Sequence, residues 1–172
     1  MGIKSAKRQR FEGEVLPELN VLFAAALYLS RSQDEANDLC EKTMVRAYRA
    51  FNGRIAANCR SWLLSILHDI VRAESLAQPA PAVAAADTAS VGGPAKGRRS
   101  VEDSGVDRAL QSLPADCRAA VVMVDVANLN YGEAAKVLAI PVETLRAQIS
   151  RGRALMRNAL APLRGPGGLA SA

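Results

Sequence analysis

A chain of 172 residues with a net charge of +5 and 49% hydrophobic residues has room for one large domain or two small ones. Its single histidine and three scattered cysteines form no Ser/His/Asp or Cys/His set and no CxxC pair, and no glycine-rich phosphate loop is present, which argues against an enzyme, a metal site or a cofactor. No apolar run approaches the roughly 18 residues of a membrane span, so no membrane insertion is expected; the odd cysteine count without a signal-peptide pattern predicts reduced thiols and a cytoplasmic location.

Residues 1–10 hold a short basic run, Lys4, Lys7, Arg8 and Arg10, read as a flexible tail. Phe11, Val15, Leu19, Leu22, Phe23, Ala26 and Leu29 then follow helical spacing, with Pro17 expected to kink or reset the first turn. Ser32 with Glu35 three residues on predicts a capping box that opens a second helix running to about Asn52, with Gly53 ending it. Its inward positions are Ala36, Leu39, Cys40, Ala47, Tyr48 and Phe51. Trp62, Leu63, Ile66, Leu67, Ile70 and Val71 mark a third helix, so residues 11–76 can bury a common core as a small all-α domain.

Residues 77–105 change character: alanine, proline, glycine and serine dominate, no apolar period survives, and a flexible linker is predicted that proteolysis would cut first. Helical pattern resumes at Val106, breaks at Leu113-Pro114, and continues from about Ala115 to Ala127 through a β-branched run that needs tertiary packing to hold it. Residues 165–172 read as a disordered tail. The fold class is therefore all-α, two small helical domains (11–76 and 106–164) on a tether.

The most informative stretch is Asn130 to Leu163. Asn130 and Glu133 form a capping-box-like start for a short helix with Ala134, Ala135, Val137 and Leu138. Ala139-Ile140-Pro141 makes a turn, with Pro141 suited to the first position of the next helix. That helix carries a buried stripe of Val142, Leu145, Ile149, Met156 and Leu160, with Glu143, Ala147, Ser150 and Ala154 opposite. Between 142 and 164 it holds five arginines (146, 151, 153, 157, 164) against one acid, Glu143, a bias that favours phosphate contact over a plain solvated face. A helix-turn-helix with a DNA-reading second helix follows.

Two further runs sharpen the reading. Asp34-Glu35-Ala36-Asn37-Asp38-Leu39 through Arg46-Ala47-Tyr48-Arg49-Ala50-Phe51, with Asn58-Cys59-Arg60-Ser61-Trp62-Leu63, resembles region 2 of extracytoplasmic-function (ECF) sigma factors of the sigma-70 family. Leu110-Gln111-Ser112-Leu113-Pro114, Tyr131-Gly132-Glu133-Ala134-Ala135, Ile140-Pro141-Val142-Glu143-Thr144-Leu145-Arg146 and Ser150-Arg151-Gly152-Arg153 resemble region 4 of the same family. The resemblance implies a non-enzymatic promoter-specificity subunit of bacterial RNA polymerase. Its partners would be core RNA polymerase, promoter DNA and a separate anti-sigma factor. Carried over by position, Asp38, Leu39, Glu41, Lys42 and Arg46 would lie on the polymerase-binding helix. Asn58, Arg60, Trp62, His68, Asp69 and Arg72 would lie in or beside the segment that reads the −10 element. Thr144, Arg146, Ala147, Gln148, Ser150 and Arg151, joined by the phosphate-contacting Arg153 and Arg157, would serve the −35 element. The chain departs from the family at Glu41-Lys42, where Gln-Glu is usual, and at His68-Asp69, after which only Arg72 is basic up to Glu74.

The residues themselves leave choices open. Asp38 and Glu41 share a helical face and fit either a partner contact or solvated charge. Trp62 fits core packing or base contact; Asn58 and Arg60 can cap the third helix or reach a strand backbone. The second functional reading is a sigma-like mimic or decoy that binds polymerase or an anti-sigma regulator without productive promoter opening.

Overall fold

The computed structural model describes residues 2–52, 55, 58–77 and 105–161, and among them no strand forms. Apart from its end residues Ala77 and Gly105, the expected linker 77–105 lies outside the described residues, as do Gly53 and the tail 165–172.

The first helix, α1 (Gly2–Val15), includes the basic run expected to be a loose tail. Lys, Arg, Gln and Ala are good helix formers, and two anchors hold the helix down. Phe11 and Val15 are buried, and Phe11 stands edge-on to Tyr48 and Phe51 at 5.2 and 5.4 Å between ring centroids. Lys7 lies 5.0 Å over the Tyr48 ring, and Arg8 pairs with Glu12 one turn on. Pro17 does reset the chain: a 3-10 turn at Leu16–Glu18 separates α1 from α2 (Leu19–Leu29).

Ser32 caps α3 (Gln33–Ala50), its hydroxyl accepting from Glu35 N at 3.2 Å. The reciprocal half of the expected box is displaced by one residue, since the Glu35 carboxylate accepts from Arg31 N. Ala36, Leu39, Ala47 and Phe51 are buried as predicted, while Tyr48 stays at the rim and Thr43 takes an inner position. The Thr43 hydroxyl donates to Leu39 O at 2.6 Å, which satisfies it inside the core. Helix α4 (Cys59–Ala77) buries Leu63, Leu64, Ile66, Leu67 and Ile70 on one side.

After the undescribed stretch come α5 (Gly105–Gln111) and α6 (Ala115–Val121), which continues into a π-helical turn at Val122–Val126. The single long helix expected to Ala127 is thus widened at its end, within the β-branched run. Ala127 N donates to Val122 O, Leu129 N donates back to Met123 O, and Asn128 takes a left-handed φ of 55° between them. The helix-turn-helix follows as α7 (Tyr131–Leu138) and α8 (Val142–Leu160). Asn130 and Glu133 form a complete capping box, and Ala134, Ala135, Val137 and Leu138 are all buried. Pro141 is not the first helical residue but the N-cap, with ψ 146°, so the turn holds one more extended residue than the sequence suggested.

Ala139 sits at φ 54°, ψ 41°, where a Cβ costs on the order of 1 kcal/mol. Ala139→Gly is therefore expected to raise stability by about 0.5–1 kcal/mol and Tm by roughly 2–4 °C, the entropy of glycine in the unfolded chain offsetting part of the relief. Thermal unfolding checks the sign. Gly152 on α8 serves close approach instead: a Cβ there would stand 2.8 Å from Val121 Cγ2 and 3.3 Å from Cys117 O, so only glycine lets α8 lie this near α6.

The two halves are not independent bodies in this structure. Their buried side chains form one continuous cluster from Phe11 through Leu67 to Met123, Leu145 and Ile149. Helix α2 is its centre, packed against α3 and α4 on one side and against the π turn, α5 and α6 on the other, while α7 packs on α4.

Candidate nucleic-acid and polymerase interfaces

Helix α3 presents a shallow depression lined by Asp38, Glu41, Lys42, Val45, Arg46 and Arg49, with Ile70 of α4 at its edge. Residues 38, 41, 42, 45 and 49 recur at three- and four-residue steps, so one helix face carries them. Four of the five residues predicted for polymerase contact meet here. Leu39 does not: it is 2% exposed and belongs to the core, so its part is to seat the helix. Lys42 is tied at 2.6 Å to both Asp38 and Glu74, and these two hydrogen bonds raise its pKa. Of the departing pair Glu41-Lys42, Lys42 is thus taken up in an exposed three-membered ion network with Asp38 and Glu74. Val45, 45% exposed, lines the same depression among these charges, and the sequence analysis did not single it out; its spacing of seven from Asp38 and four from Glu41 was the available signal.

The residues predicted to read the −10 element divide between two faces of α4. Asn58 caps the helix, its Oδ1 accepting from Arg60 N at 3.1 Å. At about 100° per residue, Asn58, Trp62, His68, Asp69 and Arg72 fall within one arc of roughly 120°. Trp62 is half-buried against the core, and Asp69 and Arg72 are exposed. His68 is half-buried, and burial lowers its pKa, opposed by Asp69 and assisted by Arg72. Arg60 lies on the other face. Its Nε donates to Glu18 at 2.6 Å and its Nη1 to Ala127 O at 3.4 Å, so it is a half-buried, engaged cation and not a free strand contact. Cys59 beside it donates to Glu14 O, and burial, with Glu18 and Glu14, pushes its thiol up to about 11.

Helix α8 keeps its outer face open. Thr144, Arg146, Ala147, Ser150, Arg151, Arg153 and Arg157 are exposed and Gln148 is half-buried, whereas Ala154, expected on the outer face, is also half-buried. Arg146, Ser150, Arg153 and Arg157 line one edge of the helix around a depression that includes Tyr131, Asp125 and Met156. Arg151 and Thr144 lie on the opposite edge. Arg146 makes only a loose 3.7 Å pair with Glu143 and sits 6.0 Å from the Tyr131 ring, so it can turn toward a ligand at little cost. Arg153 differs: Asp125 holds it through two hydrogen bonds, at 3.1 and 2.5 Å. A phosphate would have to displace that carboxylate, which lowers the expected contribution of Arg153 below those of Arg151 and Arg157. Among the described residues no cluster of His, Cys, Asp or Glu is arranged to hold a metal ion, and no helix is long and apolar enough to cross a membrane.

Residues 105–156 match the family model for sigma-70, region 4. The chain is 30% identical over 154 residues to the ECF RNA polymerase sigma factor SigE of Mycolicibacterium smegmatis, covering 81% of this chain and 57% of that protein's length. It is 28% identical over 148 residues to the ECF RNA polymerase sigma factor EcfG of Rhodopseudomonas palustris, covering 81% of this chain and 79% of that one. Among solved structures it resembles the sigma factor RpoE of Bartonella quintana, determined in complex with the anti-sigma factor NepR, with a TM-score of 0.69 and 26% identity over 88% of this chain and 96% of that one. Matches that cover 81–88% of this chain extend into both halves of the molecule. The chain belongs to the ECF group of the sigma-70 family.

Proposed function

We propose that this chain is an alternative sigma factor that binds core RNA polymerase and directs promoter-specific initiation, without enzymatic activity of its own. The observation that carries this is the arrangement of α8: an open, arginine-bearing outer face on a helix locked by a capping box, a left-handed turn and a glycine contact. In this reading the half spanning 11–76 docks on polymerase through the α3 face around Val45 and meets the −10 element through α4. The half spanning 106–164 reads the −35 element with α8. A separate anti-sigma factor is a further partner; that a structural relative was solved with such a protein supports it.

A sigma-like decoy is kept as the second reading by one feature. Asp69 is exposed and Glu74 faces Lys42, so the end of α4 has little net positive charge to hold a DNA strand. Docking is tested by Asp38→Lys combined with Glu41→Lys. This reverses two exposed charges on the α3 face and is expected to weaken core polymerase binding by about tenfold, since like-charge contacts at an interface cost a kcal/mol or more. Helicity should change little, because both positions are exposed and the lost Asp38–Lys42 pair is worth only about 0.2–0.5 kcal/mol. Binding equal to the parent's would remove α3 as the docking surface.

A further inference from the structure

Arg153 is the cation on the open edge of α8 that the fold itself ties down. Gly152 lets α8 lie against α6, and this brings the next residue, Arg153, beside the π turn that ends α6. The turn buries Val122 and Met123 and leaves Asp125 exposed. Arg153 Nε donates to Asp125 Oδ2 at 3.1 Å and Nη2 to Oδ1 at 2.5 Å, so both carboxylate oxygens grip the guanidinium. The described residues around this depression include three arginines, Arg146, Arg153 and Arg157, and one acid, Asp125. As a structural clamp the pair has little value. Its side chains are 48% and 36% exposed, and an exposed pair shifts an equilibrium by no more than about fivefold. The close approach of Gly152 to Val121 and Cys117 already joins the two helices. A carboxylate set among arginines on a DNA-facing edge also subtracts from phosphate attraction.

We infer that Asp125 is a specificity-determining residue of the helix-turn-helix: it withholds Arg153 from loosely bound DNA and yields it only to a duplex on which α8 is fully seated. This deepens the reading of α8 in the preceding subsection and rests on it. In a loose encounter the phosphates stay behind water and do not compete with a carboxylate that already makes two charge-assisted hydrogen bonds. A seated groove brings a phosphate to the helix edge, where one oxyanion is exchanged for another at a cost of no more than about fivefold. Arg146 and Arg157 on the same edge carry no such partner at hydrogen-bonding distance and serve any duplex. A genome offers roughly 10⁶–10⁹ competing sites, so a cation kept from all of them favours the promoter more than one shared by every sequence.

The test titrates the full chain, by fluorescence anisotropy across salt concentrations, against two duplexes: a random-sequence pool, and the sequence the parent enriches from that pool. Asp125→Asn should bind the pool roughly tenfold more tightly at about 50 mM salt, with a salt slope steeper by about 0.9, the signature of one added phosphate contact. Asp125→Ala, which leaves no acceptor for Arg153, is expected to do the same. The enriched duplex should gain less, so the preference ratio falls. In the parent background Arg153→Ala should leave pool binding within about twofold while weakening the enriched duplex, though by less than Arg157→Ala does. Adding Arg153→Ala to Asp125→Asn should cancel the gain on the pool. A pool slope unchanged in both Asp125 variants would overturn the inference. So would a gain that survives in the Asp125→Asn, Arg153→Ala double variant, because the lost negative charge alone would then account for it. Equal weakening of both duplexes by Arg153→Ala would also overturn it, since Arg153 would then be unmasked from the start. If the parent enriches no sequence, the −35 reading of α8 fails instead, while the slope on the pool still decides whether Asp125 withholds Arg153.

Discussion

Leu145→Ala is expected to cost about 2–5 kcal/mol, the range for removing a fully buried leucine and leaving a cavity that its neighbours only partly fill. Leu145 is 0% exposed at the base of α8 and belongs to the cluster that joins α8 to the rest of the fold. Leu155, ten residues on and 38% exposed, is the internal control: Leu155→Ala should stay within about 0.5 kcal/mol. Denaturant unfolding of the two variants separates them. Because the buried cluster runs through both halves, the Leu145 variant should lower one shared transition and not only a C-terminal one. Equal effects of the two substitutions would mean that α8 is rotated from the orientation described.

Substitutions on α8 carry the largest expected functional effect. Arg146 is near the start of α8, 61% exposed, and held by nothing stronger than a loose pair with Glu143. Arg146→Ala is expected to lose about 1–3 kcal/mol of affinity and to relax preference at one base position of the −35 element, as for an arginine reading a base edge. Arg151→Ala and Arg157→Ala should weaken binding evenly across sequences and reduce the salt slope by about one. Arg153→Ala should do less than either, because Asp125 already neutralises that guanidinium. Binding measured across salt concentrations and single-base −35 variants distinguishes the three patterns. An Arg146 variant with parental affinity and preference would show that α8 does not read the groove as assigned.

The amphipathic elements were legible because a period of 3.6 needs only local sequence. Helix α7 buries the stripe its spacing marks and α3, α4 and α8 the central part of theirs, with Tyr48 exposed and Cys40, Trp62, Val71, Val142, Met156 and Leu160 half-buried; the Asn130–Glu133 box formed as read. The turn expected at Ala139-Ile140-Pro141 is there too, with Ala139 left-handed. What escaped was long-range. Lys42 meets Glu74, Arg153 meets Asp125 and Arg60 meets Ala127 across 32, 28 and 67 residues, and no spacing rule links such pairs. They decide which predicted cations are free: Arg146, Arg151 and Arg157 on α8, but neither Arg153 nor Arg60. Two misses did leave local traces. Helix α1 was hidden by its charge, although Lys, Arg and Gln favour helix. The all-round apolar α2 signalled that something covers it on both sides, and that cover is the other half of the chain.

In the proposed function these surfaces act together to start transcription. The direct measurement is run-off transcription by bacterial core RNA polymerase reconstituted with the full chain, on a library of genomic promoter fragments. Specific transcripts should appear that core polymerase alone does not make. They should fall away when Asp38→Lys and Glu41→Lys remove docking, and their promoters should share a −35 sequence whose preference shifts with Arg146→Ala. A chain that binds core polymerase tightly yet yields no specific transcript would contradict the account and leave the decoy reading in its place.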